Sequence, residues 1–469
     1  MSGLPTGWAF SNLNDLVGAE GLFSDGDWIE SKDQDPDGEN RLLQLADIGD
    51  GIFINKSCRF VNNEKFQSLN CTELHAGDVL IARMPDPLGR ACLMPEISQR
   101  CLTVVDVAVF RAGVFGVSHK LIMHFLNSPT IRKTIELQSS GTTRKRIARG
   151  KLAELNLPIP PAAEQARIAA KLDELLAHVD TLKARIDGIP ALLKRFRQSV
   201  LAAAVSGRLT EVWRAENTPS EAESIGNGWK VVRLDRLSAN EKYSLAIGPF
   251  GSNLKVSDYQ EEGKPLVFVR EIRAERFGDE KKTKFISPEK FAELSAHQIS
   301  GGDILITKMG DPPGDVAIYP ENAPEAVITA DCIKLRVNDS MVMRKYAYFQ
   351  MKSEVFKKKV QEISAGVAQQ KVSLGNFRDL SLLVPSLEEQ AEIVRRVEQL
   401  FAFADQLQAR VNTAQARIDR LSQSILAKAF RGELVPQDPN DEPASVLLER
   451  IKAQRAAAPK AKRGRKASA

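Results

Sequence analysis

The feature that most constrains this chain is an internal repeat. The tripeptide Glu-Gln-Ala at 164–166 returns at 389–391, and Gly-Asp at 77–78 returns at 302–303. Both pairs are about 225 residues apart, and a register kept over that distance indicates two equivalent units joined in series. Two copies in one chain can build the internal two-fold that a homodimer would otherwise supply.

Each copy also carries apolar residues on an alternating four-three spacing over about 33 residues, which is the a/d stripe of a coiled coil. At about 1.5 Å per residue the stripe is roughly 50 Å long. The stripe residues predicted in an interface between two helices are Ile168, Leu172, Leu175, Val179, Leu182, Ile186, Leu193, Phe196, Val200, Ile393, Val397, Leu400, Leu407, Val411, Ile418, Leu421 and Ile425. The partner of matching length is the other copy. The alternative is that each helix folds back on its own domain.

The ends of both helices are marked in the sequence. Each begins after a proline-containing loop, and each is followed by a glycine, Gly207 or Gly432, the residue that often follows a helix C-cap. Gly188 and Pro190 interrupt the first helix, but the apolar spacing passes through unchanged, which predicts a kink or tight joint. Antiparallel packing would place the globular units at opposite ends, and parallel packing would place them side by side. The periodicity does not choose between these.

The repeat predicts the domain organisation. We expect an α/β protein in which two mixed α/β domains are separated by two long coiled-coil helices, with an internal pseudo-two-fold. The predicted segments are a first globular domain at 1–155, a first helical region at 156–212, a linker at 213–227, a second globular domain at 228–380, a second helical region at 381–435 and a C-terminal extension at 436–469. The globular domains share a middle segment and diverge at 20–70 and 240–295. A shared scaffold with different insertions suggests that both domains bind the same kind of ligand but recognise different features of it.

Basic and amide residues cluster locally in both domains. The loop SSGTTRKRI at 139–147 corresponds to SAGVAQQKV at 364–372. Arg, Lys, Gln, Ser and Thr are the side chains that reach phosphates and base edges. The candidate DNA-binding residues are Arg144, Lys145, Arg146, Arg149, Gln369, Gln370, Lys371 and Lys255.

Charge and composition limit the partners. The net charge is +5, but the segment from Lys452 to Ala469 holds seven basic residues and no acidic one, so the rest of the chain carries −2. Any nucleic-acid surface on the body must therefore be local, and the tail adds sequence-independent attraction to DNA or serves only as a solubilising segment. No apolar run reaches a membrane span, no signal peptide is evident, and five cysteines without a CxxC pattern indicate reduced thiols in a cytoplasmic protein.

Catalytic and metal constellations are not found in the sequence. It contains no phosphate-binding G-x-x-x-x-G-K-[ST] loop, and its five histidines are too scattered for a zinc site. The segment Asp-Pro-Pro-Gly at 311–314 is similar in sequence to the D-P-P-[YFW] element of adenine methyltransferases, but it lacks the aromatic residue of that element. Its counterpart at 86–89 makes both segments turns of the repeated scaffold. We therefore predict no catalytic residue and no metal on this chain.

The combined pattern resembles the DNA-specificity subunit of a Type I restriction-modification system. The resemblance rests on the two helix starts with P-x-x-x-E-Q-x-x-I, on the paired segments RFRQSVLAAAVSGRLT at 195–210 and RLSQSILAKAFRGELV at 420–435, and on GPFGSNLKVSDYQEEGKPLVFVRE at 248–271. It covers nearly all of the chain. The basic tail after Pro459 is a departure from the family pattern.

The resemblance implies a function. In this family two target-recognition domains each read one half of a split double-stranded DNA site, and an antiparallel helix pair sets the gap. The helices and nearby surfaces dock two methyltransferase subunits, and motor-nuclease subunits complete the complex. The chain would bind no cofactor, while S-adenosylmethionine, ATP and Mg²⁺ would belong to those partners. Because the body is near neutral, we expect weak DNA binding without them.

Two alternatives remain open on the sequence. An autonomous adenine DNA methyltransferase with a duplicated target domain would purify with S-adenosylmethionine bound. A coiled-coil protein scaffold without DNA binding would protect no DNA.

Overall fold

The computed structural model describes residues 3–85, 87–114, 116–141, 144–217, 228–279, 282–310, 312–365 and 370–457. The chain divides into two compact units, Met1–Ile186 with Thr413–Ala469 and Asp187–Asn412. Each unit contains one predicted globular domain together with a stretch of each predicted long helix.

Up to Ile186, the first unit consists of short strands and of helices that become more frequent toward the end of this segment. Its strands are β1 (Ala9–Asn12), β2 (Leu22–Asp25), β3 (Asn40–Leu43), β4 (Phe60–Val61), β5 (Val79–Ala82), β6 (Ala91–Leu93), β7 (Cys101–Thr103), β8 (Val107–Arg111) and β9 (Asn156–Ile159). Its helices are α1 (Asn63–Ser68), α2 (His119–Asn127), α3 (Pro129–Leu137), α4 (Arg149–Ala153) and α5 (Ala162–Asp187).

The second unit repeats this plan. Its helices are α6 (Ile189–Val205), α7 (Glu211–Asn217), α8 (Leu234–Leu237), α9 (Val269–Ala274), α10 (Pro288–Glu293), α11 (Arg344–Lys352), α12 (Glu354–Glu362), α13 (Leu374–Asp379) and α14 (Leu387–Phe430). Its strands are β10 (Lys230–Arg233), β11 (Leu245–Ile247), β12 (Lys264–Val267), β13 (Lys284–Ile286), β14 (Gln298–Ile299), β15 (Ile304–Thr307), β16 (Met309–Gly310), β17 (Val316–Ile318), β18 (Ala326–Ile328), β19 (Cys332–Leu335), β20 (Gln370–Lys371) and β21 (Ser381–Val384). Helix α14 extends beyond Asn412 into the first unit, which ends with α15 (Ala444–Ala457).

The sheets confirm the mixed α/β prediction and show the repeat in three dimensions. The first unit has a four-stranded sheet of order β2-β8-β5-β6, and the second has β11-β19-β15-β17. The apolar strands β5 and β15 are buried along their whole length because they lie inside these sheets. Each unit has a further sheet with one parallel pair, β3 with β7 and β12 with β18. Each also has a two-stranded ladder, β1-β9 or β10-β21, next to its long helix.

An ion pair with a buried carboxylate supports the four-stranded sheet of each unit. Arg111 donates to Asp78 Oδ1 and Oδ2 over 2.7 and 2.6 Å, and Arg336 donates to the two oxygens of Asp303 over 2.8 Å. Each Asp directly follows a glycine with positive φ, Gly77 or Gly302, which turns the chain into the central strand. The repeated Gly-Asp of the sequence is thus a turn whose carboxylate is neutralised by the last residue of a neighbouring strand or the residue after it.

The Glu-Gln repeat joins each long helix to its own domain. Gln165 accepts a hydrogen bond from Ser118 N over 2.8 Å and donates one to Pro160 O over 2.9 Å. Gln390 does the same in the second unit, accepting from Met343 N over 2.7 Å and donating to Pro385 O over 2.9 Å. In both units the amide therefore holds the first helical turn to the backbone before a domain helix.

The first turns of each long helix belong to the core of the attached domain. Ile168 and Leu172 are fully buried in the core cluster of the first unit, and Ile393 and Val397 are fully buried in that of the second. The alternative that a stripe is covered by its own domain is thus correct for these first turns. Farther along, Ile418 and Ile425 of α14 enter the same first-unit cluster.

Contacts within each unit show the direction of the helices. In the second unit Arg197 donates to Asp405 over 2.5 Å, and Arg396 donates to Leu209 O over 2.8 Å. Residue numbers rise on one segment while they fall on the other, so the two segments run antiparallel. In the first unit Lys183 lies 3.9 Å from Asp419.

Two predicted interface residues need correction. Leu182 is 45% exposed and Leu421 is 46% exposed, so neither is a buried interface residue. Both lie far from the start of their helices, where a pair of helices without a third layer covers only one side of a leucine. The break at Gly188 is the tight joint that was predicted, because its backbone stays in the right-handed helical region at φ −76° and ψ −21°.

Candidate nucleic-acid interface

A tight turn follows the central strand of each four-stranded sheet, which is β5 in the first unit and β15 in the second. Gly89 and Gly314 both have positive φ, and a Cβ there would approach Ile135 to 2.6 Å or Val360 to 3.0 Å. Only glycine fits this conformation without strain, which explains why the Asp-Pro-x-Gly segment is repeated. Residues 87–89 and 312–314 are turns of the scaffold; Asp86 and Asp311 lie outside the described residues.

An antiparallel backbone pairing joins the two ends of each predicted DNA-binding loop, whose residues 142–143 and 366–369 lie outside the described residues. Ser140 and Arg146 exchange backbone hydrogen bonds of 2.9 and 2.8 Å, and Ala365 and Lys371 exchange bonds of 3.0 and 2.9 Å. The next residue donates to the end of the central strand, to Arg83 O over 3.1 Å in the first unit and to Lys308 O over 3.0 Å in the second. The structure thus brings the ends of the two loops to equivalent places on the shared scaffold.

The four basic candidates of the first unit differ in their surroundings. Arg144 and Lys145 are exposed in the first loop, and neither forms an ion pair with any residue the structure describes. Arg146, by contrast, lies 3.2 Å from Asp106 Oδ1. Arg149 donates to Phe23 O over 3.0 Å and lies 3.6 Å from Asp25. Arg144 and Lys145 are therefore the residues of this cluster whose charge is not shared with any acidic residue that the structure describes.

The candidates of the second unit are also placed unequally. Gln370 and Lys371 form β20, which pairs with β16, and the Lys371 side chain is exposed. Lys255 is exposed in the divergent insertion, where its backbone N–H donates to Asp258 over 2.7 Å. Gln369 lies outside the described residues.

Sequence reasoning missed three residues, one at the base of the first loop and two in the divergent insertions. Arg83 is buried, and its Nε donates to Ile147 O over 3.0 Å, so it holds the base of the first loop. Trp28 and Phe250 are 69% and 66% exposed in the two divergent insertions. Exposed aromatic rings are suited to stacking on bases. The available signal was an aromatic residue in a segment that the repeat does not share.

The described part of the chain contains no group of three or more His, Cys, Asp or Glu side chains arranged for a metal ion. His119 has a structural role, since its Nδ1 lies 2.7 Å from Gly77 O and its Nε2 accepts from Ala112 N over 2.8 Å. Among the described residues, no helix combines the length and the apolar character needed to cross a membrane.

Comparison with known proteins decides what this duplicated scaffold is. The family profile described as "Type I restriction modification DNA specificity domain" matches residues 5–191 and 258–414. The chain belongs to the family of Type I restriction-modification DNA-specificity subunits. Such a specificity subunit is non-catalytic, and catalysis in these systems lies in separate subunits.

Individual relatives agree with this assignment. The specificity subunit is 35% identical over 368 residues to the EcoKI specificity subunit of Escherichia coli strain K12, with 74% of each protein covered. It is 36% identical over 367 residues to the StySPI specificity subunit of Salmonella potsdam, covering 75% of this chain and 74% of that protein.

Solved structures show the same fold. A chain from a structure titled for complex assembly and conformational transition of the type I R-M system superposes with a TM-score of 0.63 at 18% identity, covering 92% of this chain and all (100%) of that one. The HsdS subunit from Thermoanaerobacter tengcongensis superposes with a TM-score of 0.50 at 19% identity, covering 92% of this chain and 98% of that one.

Proposed function

We propose that each globular domain of this specificity subunit reads one half of a bipartite double-stranded DNA site. One observation carries the proposal: the same scaffold occurs twice, with equivalent loop ends beside the central strand and different insertions around them. A shared scaffold positions both domains on a common backbone geometry, whereas the insertions give each domain its own base contacts. Exposed Arg144, Lys145 and Lys371 supply phosphate contacts.

The long helices set the distance between the half-sites. The antiparallel contacts found within each unit support one continuous pair with the recognition domains at its two ends. A separation of roughly 50 Å corresponds to about one and a half turns of DNA at about 3.4 Å per base pair. The Gln165 and Gln390 joints support rigid transmission of that distance, because each fixes the first helical turn to its domain.

Methyltransferase subunits dock on the helices and nearby surfaces. A groove of about 650 Å³ in the first unit supports this, with Phe10 exposed at its edge and the rings of Phe125 and Phe430 stacked 4.0 Å apart. The specificity subunit contributes no cofactor; S-adenosylmethionine, ATP and Mg²⁺ act in the methyltransferase and motor-nuclease subunits. Since the net charge without the C-terminal segment is −2, the specificity subunit binds DNA weakly until these partners enclose the duplex.

The test is footprinting and methylation mapping of the specificity subunit with its methyltransferase. We expect protection of two short stretches separated by an unprotected or unspecified gap. Substitutions in one domain should alter one stretch only. A single uninterrupted site, or tight site-specific binding by the isolated specificity subunit, would contradict the proposal.

A further inference from the structure

The two units differ in sign at one equivalent scaffold position. Arg90 and Asp315 occupy the same place, directly after the glycine turn and before the next strand. Arg90 O accepts from Ala82 N over 2.8 Å, and Asp315 O accepts from Thr307 N over 2.9 Å. Because the backbone hydrogen bond is the same in both units, we look to the side-chain contacts to explain the opposite charges.

In the first unit the Arg90 side chain is buried and holds the divergent insertion. Its Nε donates to Ile48 O over 2.6 Å, and its Nη2 donates to Leu45 O over 2.8 Å. Its Nη1 donates to Met84 O and Pro87 O over 3.2 and 3.1 Å, so one guanidinium links the turn to the insertion. This use of several donors in a fixed fork is specific to arginine.

A second scaffold cation contacts the same insertion. Arg132 of α3 lies 3.0 Å from Asp50 Oδ1, and Asp50 belongs to the insertion. In the first unit, therefore, the scaffold supplies two cations, while the insertion supplies carbonyl oxygens and a carboxylate.

In the second unit the polarity is reversed. Arg273 of α9, within the divergent insertion, donates from Nε to Asp315 Oδ2 over 2.9 Å. Lys357 of α12, which occupies the position of Arg132 in the repeat, donates to Asp315 Oδ1 over 2.9 Å. Here the scaffold supplies the carboxylate of Asp315 and one cation, Lys357, and the insertion supplies the second cation, so the polarity is reversed at the Arg90/Asp315 position.

We propose that these contacts form an ionic latch that positions each insertion for base reading, and that its reversed polarity makes each insertion fit only its own unit. Arg90 and Asp315 are thus positioning residues for DNA specificity. The inference rests on the proposed function, in which the insertions read bases. An insertion moved from the first unit to the second would place the carbonyl oxygens of Leu45 and Ile48 against the Asp315 carboxylate, where acceptors meet a negative charge and no donor joins them.

The test uses the second unit, because its latch consists of three side chains that can be inverted together. The variants are Arg273→Glu, and the full inversion Arg273→Glu/Asp315→Lys/Lys357→Glu. The control is Arg233→Glu. Arg233 pairs with two carboxylates, Asp235 and Asp379, both at 2.8 Å, and its side chain is 53% exposed against 51% for Arg273, but it lies on β10 outside the insertion. Each variant is expressed with the complete system, and the methylated motif is mapped in the cell.

We expect Arg273→Glu to lower methylation of the wild-type site at least about 10-fold and to relax base preference in one half-site only. The full inversion should recover methylation to within about 3-fold, and the control should leave both half-sites unchanged. Thermal unfolding of the purified variants separates positioning from folding: if Arg273→Glu unfolds the protein, Arg273→Gln is used with the same criteria. An unchanged motif in the folded single variant, or no recovery in the inversion, would overturn the latch.

The proposed function fails in a different way in the same experiment. If the wild-type chain gives no bipartite motif, the half-site reading itself is wrong, whatever the variants do. A bipartite wild-type motif with a silent Arg273 variant refutes the latch alone.

Discussion

The indole Nε1 of Trp8 donates a hydrogen bond to Glu164 Oε2 over 2.9 Å, and this bond ties the start of the first domain to the first long helix. Trp229 and Glu389 repeat it over 3.0 Å. The second oxygens differ, however. Glu389 Oε1 accepts from Arg214 Nη2 over 2.6 Å, whereas Glu164 Oε1 is buried without a hydrogen-bond partner in the described part of the chain.

This difference predicts unequal costs of removing the two carboxylates. Glu389→Gln should destabilise the second unit by about 3 kcal/mol, because it leaves the largely buried Arg214 without its counter-charge. Glu164→Gln should cost about 1 kcal/mol or less, since no guanidinium donates to its second oxygen. Denaturant unfolding of both variants measures this difference, and equal losses would show that Arg214 adds nothing to the joint.

The buried side chain of His124 should make the stability of the first unit sensitive to acid. Burial lowers the pKa of His124 to about 4, and its Nε2 has no hydrogen-bond partner among the described residues. The unfolded chain binds a proton near pH 6.5 and the folded chain does not, so stability present above pH 6.5 is lost as the pH falls toward 4. The loss from this group is at most about 3 kcal/mol.

The equivalent residue in the second unit is the buried Phe349, which suggests the substitution His124→Phe. The variant should unfold at a higher temperature than the wild type at pH 5 and differ less at pH 8. Calorimetric scans at both pH values check this. A stability difference that does not change with pH would rule out His124 as the titrating group.

The exposed basic residues of the first loop should affect DNA binding, whereas the paired Arg146 should affect stability. Arg144→Ala and Lys145→Ala should each weaken DNA binding by the complete complex and reduce the salt slope by about 1. Arg146→Ala should mainly lower the unfolding temperature, because Arg146 already pairs with Asp106. Titrations at several salt concentrations separate the two effects. If Arg146→Ala changes the salt slope most, the assignment of roles is reversed.

The bidentate pairs beneath the central sheets predict a cost for a charge-conserving change. Arg336→Lys should destabilise the second unit by about 2 kcal/mol, because an ammonium lacks the planar fork that lets Arg336 form two parallel bonds to the buried Asp303 while also reaching Ser300. The control is Arg100→Lys, whose partner Glu73 is exposed at 3.5 Å; its loss should be under about 0.5 kcal/mol. Similar losses for both variants would mean that the fork geometry is unimportant.

The repeat, the mixed α/β class and the helix ends could be predicted because they depend on local spacing and on glycines with positive φ, such as Gly207 and Gly432. Which basic residues present unshared charge could not be predicted. Arg146 lies beside Asp106 and Arg149 lies beside Asp25, which Arg83 also contacts, and only the fold brings these acids close. The burial of the stripe was overestimated at Leu182 for a similar reason, since periodicity marks a face but does not show how many neighbours cover it.

We propose that the helix pair sets the gap in the DNA site. The most direct test deletes one heptad from each helix where the two face each other and away from the domain joints, residues 180–186 and 416–422. Lys183 and Asp419, which lie 3.9 Å apart, are inside these segments. A whole heptad keeps the helix face and shortens the pair by about 10 Å. Mapping of methylated sites should then show the same two half-sites with a gap shorter by about three base pairs. A folded, active deletion variant that keeps the original gap would show that the helix pair does not set it.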